Sequence, residues 1–151
     1  MIGVDLGRRR IGLALSDASG TLATPWQTID GRGVPGQVAI RIAEAVCTLR
    51  EGDDDVAGVV VGLPVHLDGR PHEEAERTRV IAELVGRRLR VPVTLQDERL
   101  TSVEAEQMLS GRERDWRQRK ARLDAAAAAV ILQEYLDVRS QKAEDRRQNP
   151  E

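Results

Sequence analysis

The stretch VAGVVVGLP at residues 56–64 restricts the possible folds of the chain more than any other part of the sequence. A continuous run of β-branched residues without polar alternation is typical of a strand that is buried on both faces of a parallel sheet. Gly62 and Pro64 end the run. A strand of this kind needs helices on both sides of its sheet, so the stretch favours an α/β fold.

The segments around this strand predict the rest of the sheet. Pro25 cannot donate a hydrogen bond to a neighbouring strand, so the third strand of the chain belongs at an edge. We expect a three-stranded meander that leads into β-α-β units, which makes a mixed five-stranded sheet with helices on both faces. The predicted elements are strands at 2–7, 10–17, 21–29, 56–64 and 91–96, and helices at 37–50, at 73–89, from 101 and at about 123–138.

Length and composition bound the class of protein. The 151 residues fit a single domain, predicted over 1–138, with a polar tail at 139–151 that we expect to be disordered. Cys47 is the only cysteine, which excludes an intrachain disulfide. No signal peptide opens the chain and no apolar run approaches the ~18 residues of a membrane span, so we expect a cytoplasmic protein without a membrane partner.

The charge pattern restricts how the chain could bind nucleic acid. The net charge of −2 excludes a bulk polycation, and an aromatic content of 2% argues against a base-stacking platform. A local basic stretch, GRERDWRQRKAR at 111–122, has six basic residues against two acids and includes Arg119 and Lys120. We predict a contact with phosphates there, and the alternative is a solvated, mobile linker.

Several acidic residues stand at positions where the predicted secondary structure does not require a carboxylate. Asp5 interrupts an apolar strand, although aspartate is disfavoured in strands. Glu98 and its neighbour Asp97 follow the strand at 91–96, and Asp124 stands directly before five alanines. Asp124 has a simpler explanation as an N-cap or a first-turn acid, and Asp97 has one as a turn residue.

Taken together, these acids predict a metal site. Sites in open sheets form at the carboxyl ends of parallel strands, and the alanine run lets the last helix lie close to the sheet. Converging carboxylates repel one another and require a cation, and ligands that are all oxygen select Mg²⁺ or Mn²⁺. Both histidines lie at 65–72 and no Cys-x-x-Cys is present, so we do not expect zinc.

Four motifs in order resemble the YqgF/RuvX family of Holliday junction resolvase-like proteins, whose members are also described as pre-16S ribosomal RNA nucleases. The resemblance implies a ribonuclease H-like fold and a metal-dependent nuclease site with Asp5, Glu98 and Asp124 as its ligands. Small departures, Val65-His66-Leu67 and Ser102, leave these acids unaffected. The motifs are GVDLGRRRIGLALSD at 3–17, VVVGLPVHLDG at 59–69, DERLTS at 97–102 and RLDAAAAAVILQEYLD at 122–137.

The resemblance also implies a mechanism, in which Asp5, Glu98 and Asp124 hold two divalent ions and water attacks phosphorus. Asp17 and Asp97 either orient ligands or water, or are simple turn residues. Arg8, Arg9 and Arg99 have guanidinium groups that suit phosphates, and the alternative for each is an ion pair with nearby acids.

Several functions remain open at this point. We predict an endonuclease that processes the 5′ end of pre-16S rRNA, with a Holliday junction resolvase-like DNA nuclease as one alternative. A non-catalytic nucleic-acid-binding factor in ribosome maturation or transcription is a second alternative. A phosphotransferase is a third, although 151 residues leave no room for its usual second domain. The residues do not distinguish a monomer from a homodimer.

Overall fold

A five-stranded sheet in the order β3-β2-β1-β4-β5 forms the centre of the molecule. The structure is a computed structural model that describes residues 1–51, 56–63, 73–97 and 116–149. Its elements are β1 (Ile2–Leu6), β2 (Arg10–Ser16), β3 (Ala23–Asp30), α1 (Pro35–Glu51), β4 (Val59–Leu63), α2 (Glu73–Leu89), β5 (Val93–Asp97) and α3 (Trp116–Gln148).

The strand pairings confirm the predicted mixed sheet. The first three strands form an antiparallel meander, and β1 pairs in parallel with β4, which pairs in parallel with β5. The strand that contains Pro25 lies at the edge, as its missing N–H predicts. Residues Val59, Val60 and Val61 are buried, as the β-branched run predicts.

Helices cover both faces of this sheet, which confirms that part of the prediction. Helices α1 and α2 pack on one face, where Val4, Leu13 and Ile81 belong to the larger hydrophobic cluster. Helix α3 packs on the other face, where Val60 and Leu132 belong to a second cluster. The sheet is therefore the middle layer of three, and its two sides can be compared directly.

Helix α3 is longer than the sequence pattern predicts. It covers Trp116–Gln148, so it includes residues 116–122 of the stretch that could have been a linker and continues through most of the predicted disordered tail. Its residues from 137 onward are exposed and mostly polar, with Val138 and Ala143 as the exceptions, and therefore show no apolar period that would reveal a helix. The helix predicted from residue 101 lies outside the described residues. None of the described helices combines the length and apolar character needed to cross a membrane.

Candidate active site

Asp5 lies half-buried near the carboxyl end of β1, at the centre of the sheet. It pairs with Gly12 of the antiparallel neighbour β2. Residues that are directly opposite in such a pair point to the same face, so Asp5 faces the side on which Gly12 meets α3. The misfit carboxylate of the first strand is thus directed at the last helix.

Gly12 is the point where α3 touches the sheet. A Cβ atom added to Gly12 would overlap the backbone carbonyl of Asp124 and would lie 2.8 Å from the amide nitrogen of Ala125. Side chains that are opposite each other in an antiparallel pair have Cβ atoms about 4.5–5.5 Å apart. Since Asp5 is opposite Gly12, the structure brings Asp5 and Asp124 together on one face of the sheet.

A second close contact fixes the direction of α3. A Cβ atom on Gly3 would lie 2.7 Å from the carbonyl oxygen of Ala128 and 2.8 Å from Cβ of Leu132. Asp124 is four positions before this contact along the helix, a rise of about 6 Å. Asp5 is two positions after Gly3 along the strand, which is about 6.6 Å. The two contacts match in spacing, so the helix runs along β1 and keeps Asp124 level with Asp5.

The position of Asp124 within α3 corrects the simpler explanation for this residue. The helix begins at Trp116, more than two turns before Asp124. Asp124 is therefore neither an N-cap nor a first-turn acid, and it does not open the helix, as the alanine run suggested. A carboxylate in the interior of a helix that packs on a sheet needs another reason for its presence.

Arg10 is the functional candidate that sequence reasoning missed. Its Nε atom lies 2.8 Å from Oδ2 of Asp124, and the side chains are 34% and 27% exposed, respectively. Arg10 has the same strand phase as Gly12, so it points to the α3 face. Arg10, Gly12 and Ala14 are alternate residues of β2 and therefore lie on the same face. A charged residue in line with two small ones is the signal that could have identified Arg10.

The structure does not describe any of the other predicted acids beside Asp5 and Asp124. Glu98 lies outside the described residues. Asp97 is the exposed last residue of β5, where it pairs with Leu63 of β4. The residue before Leu63, Gly62, lies on the same face of the sheet as Asp5, so Leu63 and Asp97 lie on the opposite face. Alternation thus directs Asp97 to the α1/α2 face, which favours a turn residue. Within the described ranges, no group of three His, Cys, Asp or Glu residues could hold a metal ion.

Asp17 lies at the wrong end of the sheet for a residue that orients ligands at Asp5. It follows β2 at its far end, about 17 Å along the strand from Gly12. Its carboxylate accepts hydrogen bonds from the Thr21 amide at 2.8 Å, the Leu22 amide at 3.2 Å and Ser19 Oγ at 2.9 Å. These bonds, the Thr21 amide first, hold the pKa of Asp17 below its usual value. Asp17 is a turn residue.

The structure describes four of the five basic residues that were predicted to bind nucleic acid. Arg8 forms an ion pair with Glu74 through Nε at 2.8 Å, and the arginine side chain is 71% exposed. Arg9 is exposed in the same hairpin turn, and its carbonyl accepts a hydrogen bond from Gly31. Arg119 and Lys120 lie in the first turns of α3. Arg99 lies outside the described residues.

The donor chemistry of the site fits a hard divalent cation. Asp5 and Asp124 both present carboxylate oxygens on one face, and oxygen ligands are what Mg²⁺ and Mn²⁺ prefer. The carboxylate oxygens of the two described acids therefore fit magnesium or manganese as ligands.

Known proteins resemble this chain over nearly its full length. The family model RuvX, described as Holliday junction resolvase, matches residues 1–138. A protein of Thermosynechococcus vestitus named "Putative pre-16S rRNA nuclease" is 43% identical over 143 residues, which cover 95% of this chain and 91% of the relative. A protein of the same name from a Nocardioides species is 45% identical over 137 residues, which cover 90% and 86%.

Solved structures confirm the ribonuclease H-like fold. RuvC of T. thermophilus, solved in complex with a Holliday junction substrate, matches with a TM-score of 0.57 at 16% identity, over 93% of this chain and 96% of RuvC. The yeast mitochondrial Holliday junction resolvase Ydc2 matches with a TM-score of 0.53 at 12% identity, over 97% and 81%. At such identities the likeness concerns the fold alone. With the family match over residues 1–138 and curated relatives above 40% identity, the chain belongs to the RuvX family.

Proposed function

We propose that this protein is a divalent-metal-dependent endonuclease that hydrolyses phosphodiester bonds of structured nucleic acid, with the 5′ end of pre-16S rRNA as its substrate. The observation that carries the proposal is the convergence of Asp5 and Asp124 on one face of the sheet, 119 positions apart in the chain. The names of the curated relatives support the RNA substrate.

The carboxylates have distinct places in the proposed site. Asp5 is presented by the central strand and Asp124 by the helix that lies on Gly12, and Glu98 is the third proposed ligand. Two Mg²⁺ or Mn²⁺ ions, when bound, would lower the pKa of an attacking water and stabilise the leaving oxygen. The close contact between α3 and the sheet fixes where the backbones of both described acids lie before substrate arrives.

Basic residues around the site are proposed to hold the nucleic-acid backbone. The Arg8–Glu74 pair is largely exposed, and exposed ion pairs contribute at most about 1 kcal/mol, so Arg8 can exchange its partner for a phosphate at little cost. Arg9 lies in the same turn, and Arg99, Arg119 and Lys120 are proposed to extend this surface. Contacts of this kind recognise shape more than sequence.

A second candidate is a DNA nuclease that acts on four-way junctions. The family model is described as Holliday junction resolvase, and the structure of RuvC that resembles this chain holds such a junction. A junction-cutting enzyme needs two sites related by a two-fold axis, whereas trimming of an RNA end needs one. Oligomeric state therefore helps to separate these candidates. A third candidate, a non-catalytic nucleic-acid-binding factor, would bind without cutting.

Cleavage assays test this proposal directly. End-labelled pre-16S rRNA and a four-way DNA junction are incubated with Mg²⁺ or Mn²⁺ and with wild type, Asp5→Asn or Asp124→Asn. Asp145→Asn is the matched control, because it replaces an aspartate with asparagine on the exposed part of α3, away from the proposed site. We expect wild type and the control to cut RNA and both site variants to lose cleavage, with circular dichroism confirming that each is folded.

The outcomes separate the candidate functions. Cutting of the junction in preference to RNA would favour the resolvase. Cutting that persists in folded Asp5→Asn and Asp124→Asn proteins would show that the site is wrong. Tight binding of RNA by wild type without any cutting would favour the binding factor.

A further inference from the structure

Arg10 occupies the carboxylate that the proposed function assigns to a metal ion. Its backbone is fixed at the hairpin, where its carbonyl oxygen accepts a hydrogen bond from the Gly7 amide at 3.0 Å. Its Nε atom donates to Oδ2 of Asp124 at 2.8 Å and thereby links β2 to α3. The pair is about a third exposed, whereas the pair of Arg87 with Glu83 on α2 is 73% and 63% exposed. Solvent therefore screens the Arg10 pair less.

The charge of Arg10 has two opposite effects on this site. Without a cation, the guanidinium offsets the repulsion between the neighbouring carboxylates Asp5 and Asp124. With a cation, the same positive charge opposes binding. A unit charge about 6 Å from a divalent ion weakens its binding on the order of tenfold even in a water-like dielectric.

We propose that Arg10 is a positioning residue: an internal counter-charge that holds Asp124 in the cation-free protein and competes with the divalent cation for that carboxylate. The inference rests on the proposed function, since it takes Asp5 and Asp124 as the ligands of the cation. It adds a residue that touches Asp124 and sets how readily the site accepts a cation.

Release of Arg10 has a consequence for substrate binding. A cation that takes Asp124 leaves the guanidinium without its carboxylate partner, and a planar guanidinium fork suits a phosphate group. The proposed substrate brings phosphates to this face of the sheet. Cation and nucleic acid therefore bind cooperatively. A cation on Asp124 frees Arg10 to bind a phosphate, and a phosphate on Arg10 frees Asp124 to bind a cation.

Binding of Mn²⁺ tests the competition without any measurement of cleavage. Free Mn²⁺ is followed by its electron paramagnetic resonance signal during titration of wild type, Arg10→Gln and Arg87→Gln. The last is the matched control, because it removes the same charge from an exposed ion pair on α2. We expect Arg10→Gln to bind Mn²⁺ about tenfold more tightly than wild type, and Arg87→Gln to match wild type. In EDTA, Arg10→Gln should melt at a lower temperature than Arg87→Gln.

The coupling to nucleic acid is measured in the same titration. A phosphorothioate RNA hairpin, which resists hydrolysis, is added at saturating concentration. The hairpin should raise the Mn²⁺ affinity of wild type by a larger factor than that of Arg10→Gln. An equal factor in both proteins would overturn the release of Arg10 to phosphate.

Two results would overturn the competition itself. One is an Mn²⁺ affinity of Arg10→Gln equal to or weaker than that of wild type, while Asp5→Asn abolishes binding. That pattern leaves the proposed metal site intact. If wild type binds no Mn²⁺, or if Asp5→Asn binds as well as wild type, the metal site itself is wrong and the inference fails with it.

Nuclear magnetic resonance of wild type gives a test that does not depend on the folding of a variant. The Arg10 Nε–H signal should be protected from solvent exchange in cation-free protein and should lose that protection on titration with Mg²⁺. Protection that persists at saturating Mg²⁺ would overturn the proposal.

Discussion

The two faces of the central sheet are built from different residues. The face toward α1 and α2 is packed mostly with branched aliphatic side chains. The face toward α3 has glycine at two points, Gly3 and Gly12, where the backbone of the helix lies directly on the sheet. The contrasting residues are Val4, Ile11, Leu13, Val61 and Ile81 on the first face, and Gly3, Gly12, Ala14 and Ala128 on the second.

The two faces therefore have different roles. The face toward α1 and α2 contributes most to the stability of the fold, and the face toward α3 positions the acids of the proposed site. Branched side chains bury large apolar areas and contribute most of the hydrophobic free energy of folding. Small residues bury less, but they let the backbone of Asp124 lie on Gly12, directly beside Asp5. A carboxylate has a short side chain, so it reaches a partner on the sheet only if its helix comes this close.

The largest expected effect on stability comes from a deletion on the aliphatic face. Ile81 is fully buried on α2, and Ile81→Ala should lower the free energy of unfolding by about 2–5 kcal/mol. Urea denaturation measures this change. Because Ile81 lies on the face away from Asp124, cleavage per folded molecule should match wild type below the melting temperature. Loss of cleavage in folded Ile81→Ala would contradict the separation of the two faces.

Gly12→Ala should have a smaller effect on stability and a larger effect on function. The added methyl group meets the backbone of Asp124, which cannot move without shifting α3. We expect a loss of about 1–3 kcal/mol, as for other overpacked sites, together with weaker Mn²⁺ binding and slower cleavage. Urea denaturation and Mn²⁺ titration measure these effects.

Gly36→Ala is the matched control for this variant. Gly36 lies in α1, and a Cβ atom there meets no atom within 4 Å. Alanine in a helix is favoured over glycine by about 0.5–1 kcal/mol, so this variant should be as stable as wild type or more stable, with full cleavage. Normal Mn²⁺ binding by Gly12→Ala would show that the close contact does not position Asp124.

Periodicity and strand chemistry predicted most of this fold. The β-branched run at 59–61 indicated a strand buried on both faces, and Pro25 indicated the edge strand. Both signals are local, because they depend on what one residue or one run can bury or bond. The C-terminal part of helix α3 was underestimated because it is mostly polar and exposed, as at Arg139 and Gln141, and leaves no apolar period to read.

The candidate site was predictable only in part. Asp5 was noticed because a carboxylate in an apolar strand breaks a local rule, and Asp124 because it stands before five alanines. Arg10 has a local signal, a charge in phase with the small residues of β2, but its partner is 114 residues away, so the sequence does not indicate which acid it meets. Asp17 had two interpretations, a residue that orients ligands or a simple turn residue, and the structure favours the second. Its motif neighbours Asp5 in sequence, but the strand carries it to the far end of the sheet.

A smaller effect is expected at the far end of the α3 face, where Gln133 ties the turn before β3 to the helix. Its Oε1 accepts a hydrogen bond from the buried Ala23 amide at 2.9 Å, and its Nε2 donates to the Thr21 carbonyl at 2.9 Å. Gln133→Ala should lower the free energy of unfolding by about 1 kcal/mol and speed hydrogen exchange at the Ala23 amide. Gln141→Ala, on the exposed part of α3, is the control and should change neither. Unchanged exchange at Ala23 would mean that the turn does not depend on the helix.

The smallest expected effect concerns Asp17 and depends on pH. Hydrogen bonds from the Thr21 and Leu22 amides hold its pKa in the folded protein below the usual 3.8. A lowered pKa means that the carboxylate stabilises the fold above pH 3.8, and that this contribution is lost as pH falls through the folded value. The melting temperature of Asp17→Asn should therefore lie slightly below that of wild type at neutral pH and converge with it in acid. Asp145→Asn, on exposed α3, is the control for the general effect of removing a carboxylate. A gap that stays constant with pH would show that the charge of Asp17 does not hold the turn, and that an uncharged acceptor serves this end of the sheet as well.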